Sequence, residues 1–266
     1  MQSCQWDRSL SPHRIHLEAD RGDSPQITFV SSHKNITQMS FFSNFGKSKP
    51  APVPDGVKRV FNLMILDASG SMVSIYESAL TGVNETLQTI RATQGEHGDQ
   101  AHFVTLVTFN STHYGEIYSA TPANEAKDIT PKQYIPSGCT PLFDAMGRAI
   151  TSLQSTVADG DIVLVTVITD GMENASREYS RDTIKKLVES LKAKGWMFTY
   201  IGANQDVDAV ADSLAIKHRL AFNANASGTS AMFNIEARAR KRFFDKVGYE
   251  SIQALIDEDY FDEPNP

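Results

Sequence analysis

The sequence predicts a three-layer α/β domain around a mostly parallel sheet, and three observations lead there. Residues 161–169 hold Ile162, Val163, Leu164, Val165, Val167 and Ile168, a near-continuous β-branched run of the kind buried on both faces of a parallel sheet. Residues 60–66 form a second apolar run of strand length, ending at Asp67 and a Ser/Gly cluster. Between and after these runs, helical stripes alternate with strand-like segments, the order that wraps helices over a sheet.

In chain order, the first strand is followed by a helix over 72–92, where Tyr76, Ala79, Leu80, Val83, Leu87 and Ile90 recur at helical spacing. Residues 103–109 and 114–118 are β-rich around Asn110-Ser111-Thr112-His113, which predicts a hairpin. Pro141 fits the first position of a helix reaching about Leu153, with Thr140 as its cap. The strand at 161–169 follows, then a helix (181–194), a strand (196–201), a helix (207–216) and a strand (219–222). A last helix spans 230–247, with Met232, Ile235, Ala239, Phe243 and Phe244 toward one side. Its Arg238, Arg240, Lys241 and Arg242 read as a solvated basic face, and the acidic end from Asp257 to Glu263 as a solvated tail.

The segment before this domain has another character. Residues 1–45 show no sustained apolar periodicity, and residues 46–56 contain three prolines, which suit an extended linker rather than a helix or central strand. Residues 1–38 read as a disordered extension or the product of an upstream start, with Met39 an alternative start. The expected organisation is an irregular extension and Pro-rich linker (1–56), the α/β domain (57–223), and a helical segment with an acidic tail (224–266).

Composition excludes several classes. The chain has 266 residues, with 25 Lys+Arg against 32 Asp+Glu and a formal charge of −7. No apolar run approaches the ~18 residues that would cross a bilayer. A mildly acidic chain without a dense Lys/Arg tract is a poor partner for nucleic acid. Two cysteines, Cys4 and Cys139, are too few for a disulfide framework or a Cys-rich zinc site. With no signal-peptide pattern at Met1, that favours a reducing, cytoplasmic setting. The seven histidines make no H-x-x-x-H or H-E-x-x-H spacing, and no P-loop or G-x-G-x-x-G is present. Arg21-Gly22-Asp23 is most simply a chance tripeptide, and the N-x-S/T sequons imply no glycosylation in that setting.

Three segments carry the chemistry, each where a strand should end or a helix begin. Asp67-Ala68-Ser69-Gly70-Ser71 follows the first strand, Gly138-Cys139-Thr140-Pro141-Leu142-Phe143-Asp144-Ala145 enters a helix, and Thr169-Asp170-Gly171 follows the central strand. Ligands of open parallel sheets bind beyond the carboxyl ends of the strands, at the switch point of the topology. If the strand order reverses between the strands at 60 and 161, two carboxylates and three hydroxyls meet there. These are hard oxygen donors, suited to Mg²⁺, Mn²⁺ or Ca²⁺ rather than zinc or copper. Two negative charges leave room for an outside oxygen, and nearby helix starts favour an incoming carboxylate. The expected device is a metal-bridged latch for an acidic group of a partner. Around it, Gly70 eases the backbone, Asp144 and Glu173 read as structural supports, Asn174 as a loop residue at the rim, and Cys139 as a small packing residue.

These residues resemble the von Willebrand factor type A family, of a bacterial intracellular type, and its metal-ion-dependent adhesion site. The family's D-x-S-x-S stands as Asp67, Ser69 and Ser71, its separate threonine as Thr140, and its later aspartate as Asp170. The resemblance covers residues 57–223. It implies a Rossmann-like fold with one short antiparallel edge strand, helices on both faces and the site at the top of the sheet. It also implies that the serines and threonine contact Mg²⁺ (or Mn²⁺ or Ca²⁺) directly or through water, and that the aspartates often act through water. A Glu or Asp from a partner protein then completes the shell. The function so implied is a non-enzymatic, cation-dependent protein-binding module. A Mg²⁺-dependent phosphohydrolase is the competing reading, but Ser69 stands where a second catalytic aspartate would be needed, and no lysine sits in a matching loop. A scaffold with an unused metal site is another. Self-association, with a tail carboxylate entering the site of a second copy, is a further expectation.

Overall fold

The computed structural model describes residues 53–262. Expectations on residues 1–52 and 263–266, including the leader, the alternative start and Arg21-Gly22-Asp23, lie outside the described residues.

Six strands form one sheet: β1 (Lys58–Asp67), β2 (Gln100–Phe109), β3 (Tyr114–Pro122), β4 (Ile162–Thr169), β5 (Trp196–Gly202) and β6 (His218–Ala221). Their order is β3-β2-β1-β4-β5-β6, with β3 antiparallel to β2 and every other pairing parallel. This is the three-layer, Rossmann-like α/β fold that the sequence predicts, including its antiparallel edge strand. The helices are α1 (Tyr76–Glu96), α2 (Leu142–Gln154), α3 (Arg181–Lys192), α4 (Val207–Ser213), α5 (Ala226–Val247) and α6 (Ile252–Asp257). One apolar core packs α1, α5 and α6 on one face, and the other packs α2, α3 and α4 on the opposite face. The connection from β1 through α1 to β2 runs toward one edge of the sheet, and the return from β3 through α2 to β4 runs the other way, which puts α1 and α2 on opposite faces. Every residue of β4 is buried, which explains its near-continuous β-branched run.

The switch point lies between β1 and β4. Leu66 pairs with Thr108 of β2 and with Ile168 of β4, so Asp67 and Thr169 end adjacent strands at the same height. The long connection 123–141 has no helix of its own. It packs Ala126, Ile129 and Tyr134 into the core beside α1, where Asn84 accepts from the Ile129 N–H (2.7 Å) and donates to its carbonyl (3.0 Å).

The carboxyl-terminal segment departs from expectation. Arg240 is fully buried rather than part of a solvated face. Its guanidinium donates to Glu236 Oε1 (2.7 Å), to Asn62 Oδ1 of β1 (2.8 Å) and to Thr166 Oγ1 of β4 (2.8 Å). The tail is not simply solvated either: Tyr260 is buried against Phe243, and its backbone N–H donates to His218 Nδ1 (3.3 Å).

Candidate metal centre

The segment after β1 turns at once, because Asp67 Oδ1 accepts from the backbone N–H of Ser69 (2.6 Å). A 3-10 turn (Gly70–Ile75) then leads into α1, so the helix starts at Tyr76, where its apolar stripe begins, and four residues later than the expected range of 72–92. Gly70 serves less through backbone freedom than through close approach. Its N–H donates to the Gly138 carbonyl (2.9 Å), and a Cβ would stand 3.3 Å from that oxygen. Gly138 itself has φ +67°, a conformation glycine adopts without strain.

The three segments converge. The hydroxyls of Ser69 and Ser71 lie 3.1 Å apart, and Ser71 Oγ donates to Asp170 Oδ1 (2.5 Å). Thr169 Oγ1 donates to Asp67 Oδ2 (2.6 Å). Where Gly171 lacks a side chain, a Cβ would meet Ser71 Oγ at 3.2 Å, Thr140 Oγ1 at 3.4 Å and Asp67 Oδ2 at 4.0 Å. Asp67, Ser69, Ser71, Thr140 and Asp170 are thus brought together at the carboxyl ends of β1 and β4. Asp67, Ser69, Thr140 and Asp170 are almost wholly buried.

Burial sets the electrostatics. Loss of hydration pushes the Asp67 carboxyl up from 3.8 to about 6, outweighing its hydrogen bonds from Thr169 and Ser69, and the charge of Asp170 adds to the rise. Burial raises Asp170 as well, against the Ser71 hydrogen bond. Two buried carboxylates held by neutral donors suit a hard divalent cation, which would supply the missing positive charge. The surrounding hydroxyls add oxygen donors without adding charge.

The supporting residues have definite work. Thr140 does not cap α2; Pro141 occupies the cap position and offers no side-chain hydrogen bond. Glu173 replaces it: one carboxylate oxygen accepts from Phe143 N–H (3.0 Å) in the first turn of α2, the other from Ala175 and Ser176 N–H (2.9 and 2.7 Å). Asp144 accepts from the N–H groups of Arg177, Glu178 and Tyr179 (2.9, 2.8 and 2.8 Å), tying α2 to the loop after β4. Asn174 is more than a turn residue: its Oδ1 accepts from Thr140 N–H (2.8 Å), and its own N–H donates to the Thr140 carbonyl (3.1 Å). Cys139 sits in the loop with its backbone N–H donating to Ser111 Oγ (3.0 Å) and its carbonyl accepting from Ser111 N–H (3.0 Å). Sequence reading missed Thr169, Gly171 and Tyr134, whose hydroxyl donates to the Asp67 carbonyl (2.9 Å). The first two stand beside Asp170 in the Thr-Asp-Gly signal, whereas nothing local marks Tyr134.

The model of the von Willebrand factor type A domain matches residues 63–236. No curated protein matches. Among solved structures, the PilB minor pilin from Streptococcus sanguinis is 14% identical with a TM-score of 0.51, over 72% of this chain and 63% of that one. The pilus adhesin SpaC from Lactobacillus rhamnosus GG is 16% identical with a TM-score of 0.51, over 71% and 30%. The vWF domain of the type V pili tip protein Mfa5 from Porphyromonas gingivalis is 10% identical with a TM-score of 0.50, over 73% and 97%. The chain thus spans less than two thirds of the PilB and SpaC chains, and likeness at these identities is likeness of fold.

Proposed function

Because the chain belongs to the von Willebrand factor type A domain family, we propose that it is a non-enzymatic protein-binding module whose carboxylates and hydroxyls hold a divalent cation, Mg²⁺ above all. One observation carries this reading: Asp67 Oδ2 and Ser71 Oγ from the segment after β1, and Thr140 Oγ1 from the entry to α2, lie 3.2 to 4.0 Å from the point where a Cβ of Gly171, in the segment after β4, would stand. Asp67, Ser69, Ser71, Thr140 and Asp170 would hold the cation. The cation supplies a Lewis-acidic position for an outside oxygen. A Glu or Asp of a partner protein suits that position, because the chain's own two carboxylates leave part of a hard cation's oxygen shell to other ligands.

The chain's residues do the positioning. Thr169 and the Ser69 amide fix both oxygens of Asp67, Asn174 fixes the backbone of Thr140, and Glu173 and Asp144 hold the α2 entry against the loop after β4. Calorimetric titration with Mg²⁺ tests the reading. The wild type should bind the cation and the Asp67→Ala/Thr140→Ala variant should not, with both unfolding cooperatively in the absence of metal. Capture of a partner should then be lost equally in EDTA and in the variant. A folded variant that binds Mg²⁺ as tightly as the wild type would refute the site, and capture that persists in EDTA would refute the latch.

A further inference from the structure

Three of the large apolar side chains most exposed among the described residues lie in the segments that build the candidate centre. Val73 (60% exposed) is in the 3-10 turn, Ile135 (66%) in the connection leading to Thr140, and Met172 (64%) directly after Gly171. Exposed apolar groups gathered around a polar focus mark a surface that meets another protein.

Beside the centre, a cleft of about 540 Å³ opens between β3 and the connection 123–141, lined by Ala68, Asn110, His113, Ile117, Lys132 and Ile135 among others. It adjoins the metal loop directly, since Ala68 lies between Asp67 and Ser69. Its polar floor makes little demand on a ligand. Asn110 Oδ1 already accepts from the backbone N–H groups of Thr112 and His113 (2.9 Å each), and its amide donates to the Ala68 carbonyl (3.1 Å) and to Ser137 Oγ (3.2 Å). What remains on offer is the apolar surface of Ile117 and Ile135, with the exposed Lys132 and Glu116 also in the lining.

We propose that this cleft is a second anchor point for the partner: an extended, acidic segment places its carboxylate at the metal and a neighbouring aliphatic or aromatic side chain in the cleft beside Ile135. The inference rests on the metal-latch reading and adds the sequence character of the partner to it. Because Ala68 borders both places, the two anchors fall within about three residues of each other at the ~3.3 Å rise of an extended chain. Lys132 and Glu116 both stand exposed in the lining, so the cleft adds no preference for charge of either sign and selects the neighbouring side chain by its apolar character.

The test uses the full-length protein, immobilised in Mg²⁺, to select phage-displayed random dodecapeptides that EDTA releases. The recovered peptides are then synthesised with a fluorophore, and their binding is followed by anisotropy. The expected consensus is an Asp or Glu with a large apolar residue at one fixed short spacing. Ile135→Asp should weaken binding by about tenfold or more while leaving Mg²⁺ titration unchanged, and Ile135→Leu should bind as the wild type. Asp67→Ala should abolish binding. A consensus without the apolar residue, or unchanged affinity in Ile135→Asp, overturns the cleft anchor and leaves the metal latch standing. Failure to recover any EDTA-released peptide, or binding retained in Asp67→Ala, overturns the latch itself and the anchor with it.

Discussion

Asp67 is a carboxylate that the fold buries and then leaves short of positive charge. Its carboxyl sits at about 6, against 3.8 for the free group. Between those values the native state holds the proton more tightly than the unfolded chain. This group therefore lowers the stability of the metal-free protein as pH rises from about 4 to about 6, by up to about 3 kcal/mol, and the loss persists above that. A cation competes with the same proton, so Mg²⁺ affinity should fall as pH drops below about 6. Calorimetric titration at a series of pH values checks this, and Asp67→Asn should stabilise the metal-free protein near neutral pH while removing its response to Mg²⁺. Gly171→Ala is the complementary change. Its Cβ would crowd Ser71 and Thr140 at 3.2 and 3.4 Å, so cation affinity should fall by about tenfold while the circular dichroism spectrum is unchanged. The five oxygen-bearing residues were legible in the sequence because each sits in a short polar signal at a strand end or helix entry. The role of Gly171 was not, since an absent side chain acquires meaning only from what surrounds the space.

At the scale of elements, the start of α2 shows why boundaries were read less well than strands. Thr140 and Pro141 have the composition of a cap, yet Thr140 Oγ1 turns toward Ser71 and Asp67, and the first turn of the helix is served by Glu173 from another segment. A capping role supplied across 30 residues leaves no local trace. Glu173→Ala should cost about 1–2 kcal/mol in urea unfolding, the usual size of a lost cap with its hydrogen bonds, and should weaken Mg²⁺ binding only modestly. Asn174→Ala, by contrast, frees the backbone of Thr140 and should affect the cation more than the stability. The strands of the parallel sheet were readable because burial on both faces imposes a nearly unbroken apolar run. The connection 123–141 was not, because its backbone is held by distant partners such as Asn84 rather than by its own periodicity.

For the whole molecule, Arg240 is the residue that sequence reading most misjudged. A basic residue among basic residues on a helix resembles a solvated face, and its partners Asn62 and Thr166 lie on strands far away in the chain. In the fold it joins α5 to the two central strands, so the last helix is fastened at the middle of the sheet as well as by its apolar stripe. Arg240→Ala leaves Glu236 buried without its partner and should cost about 3–5 kcal/mol, read by denaturant unfolding, whereas Arg240→Met/Glu236→Leu should recover much of that loss. The fastening of the candidate site at the carboxyl end of β1 has a different character. Tyr134 donates to the Asp67 carbonyl, Ser137 N–H to the Ala68 carbonyl, and Gly70 N–H to the Gly138 carbonyl. These bonds lace the segment before Thr140 onto the end of β1. Neither side can open without breaking the other's amides, so the Gly70 and Ser137 amides should exchange with deuterium at one common rate. Filling the site should slow both together, as a single cooperative unit spanning distant stretches of the chain.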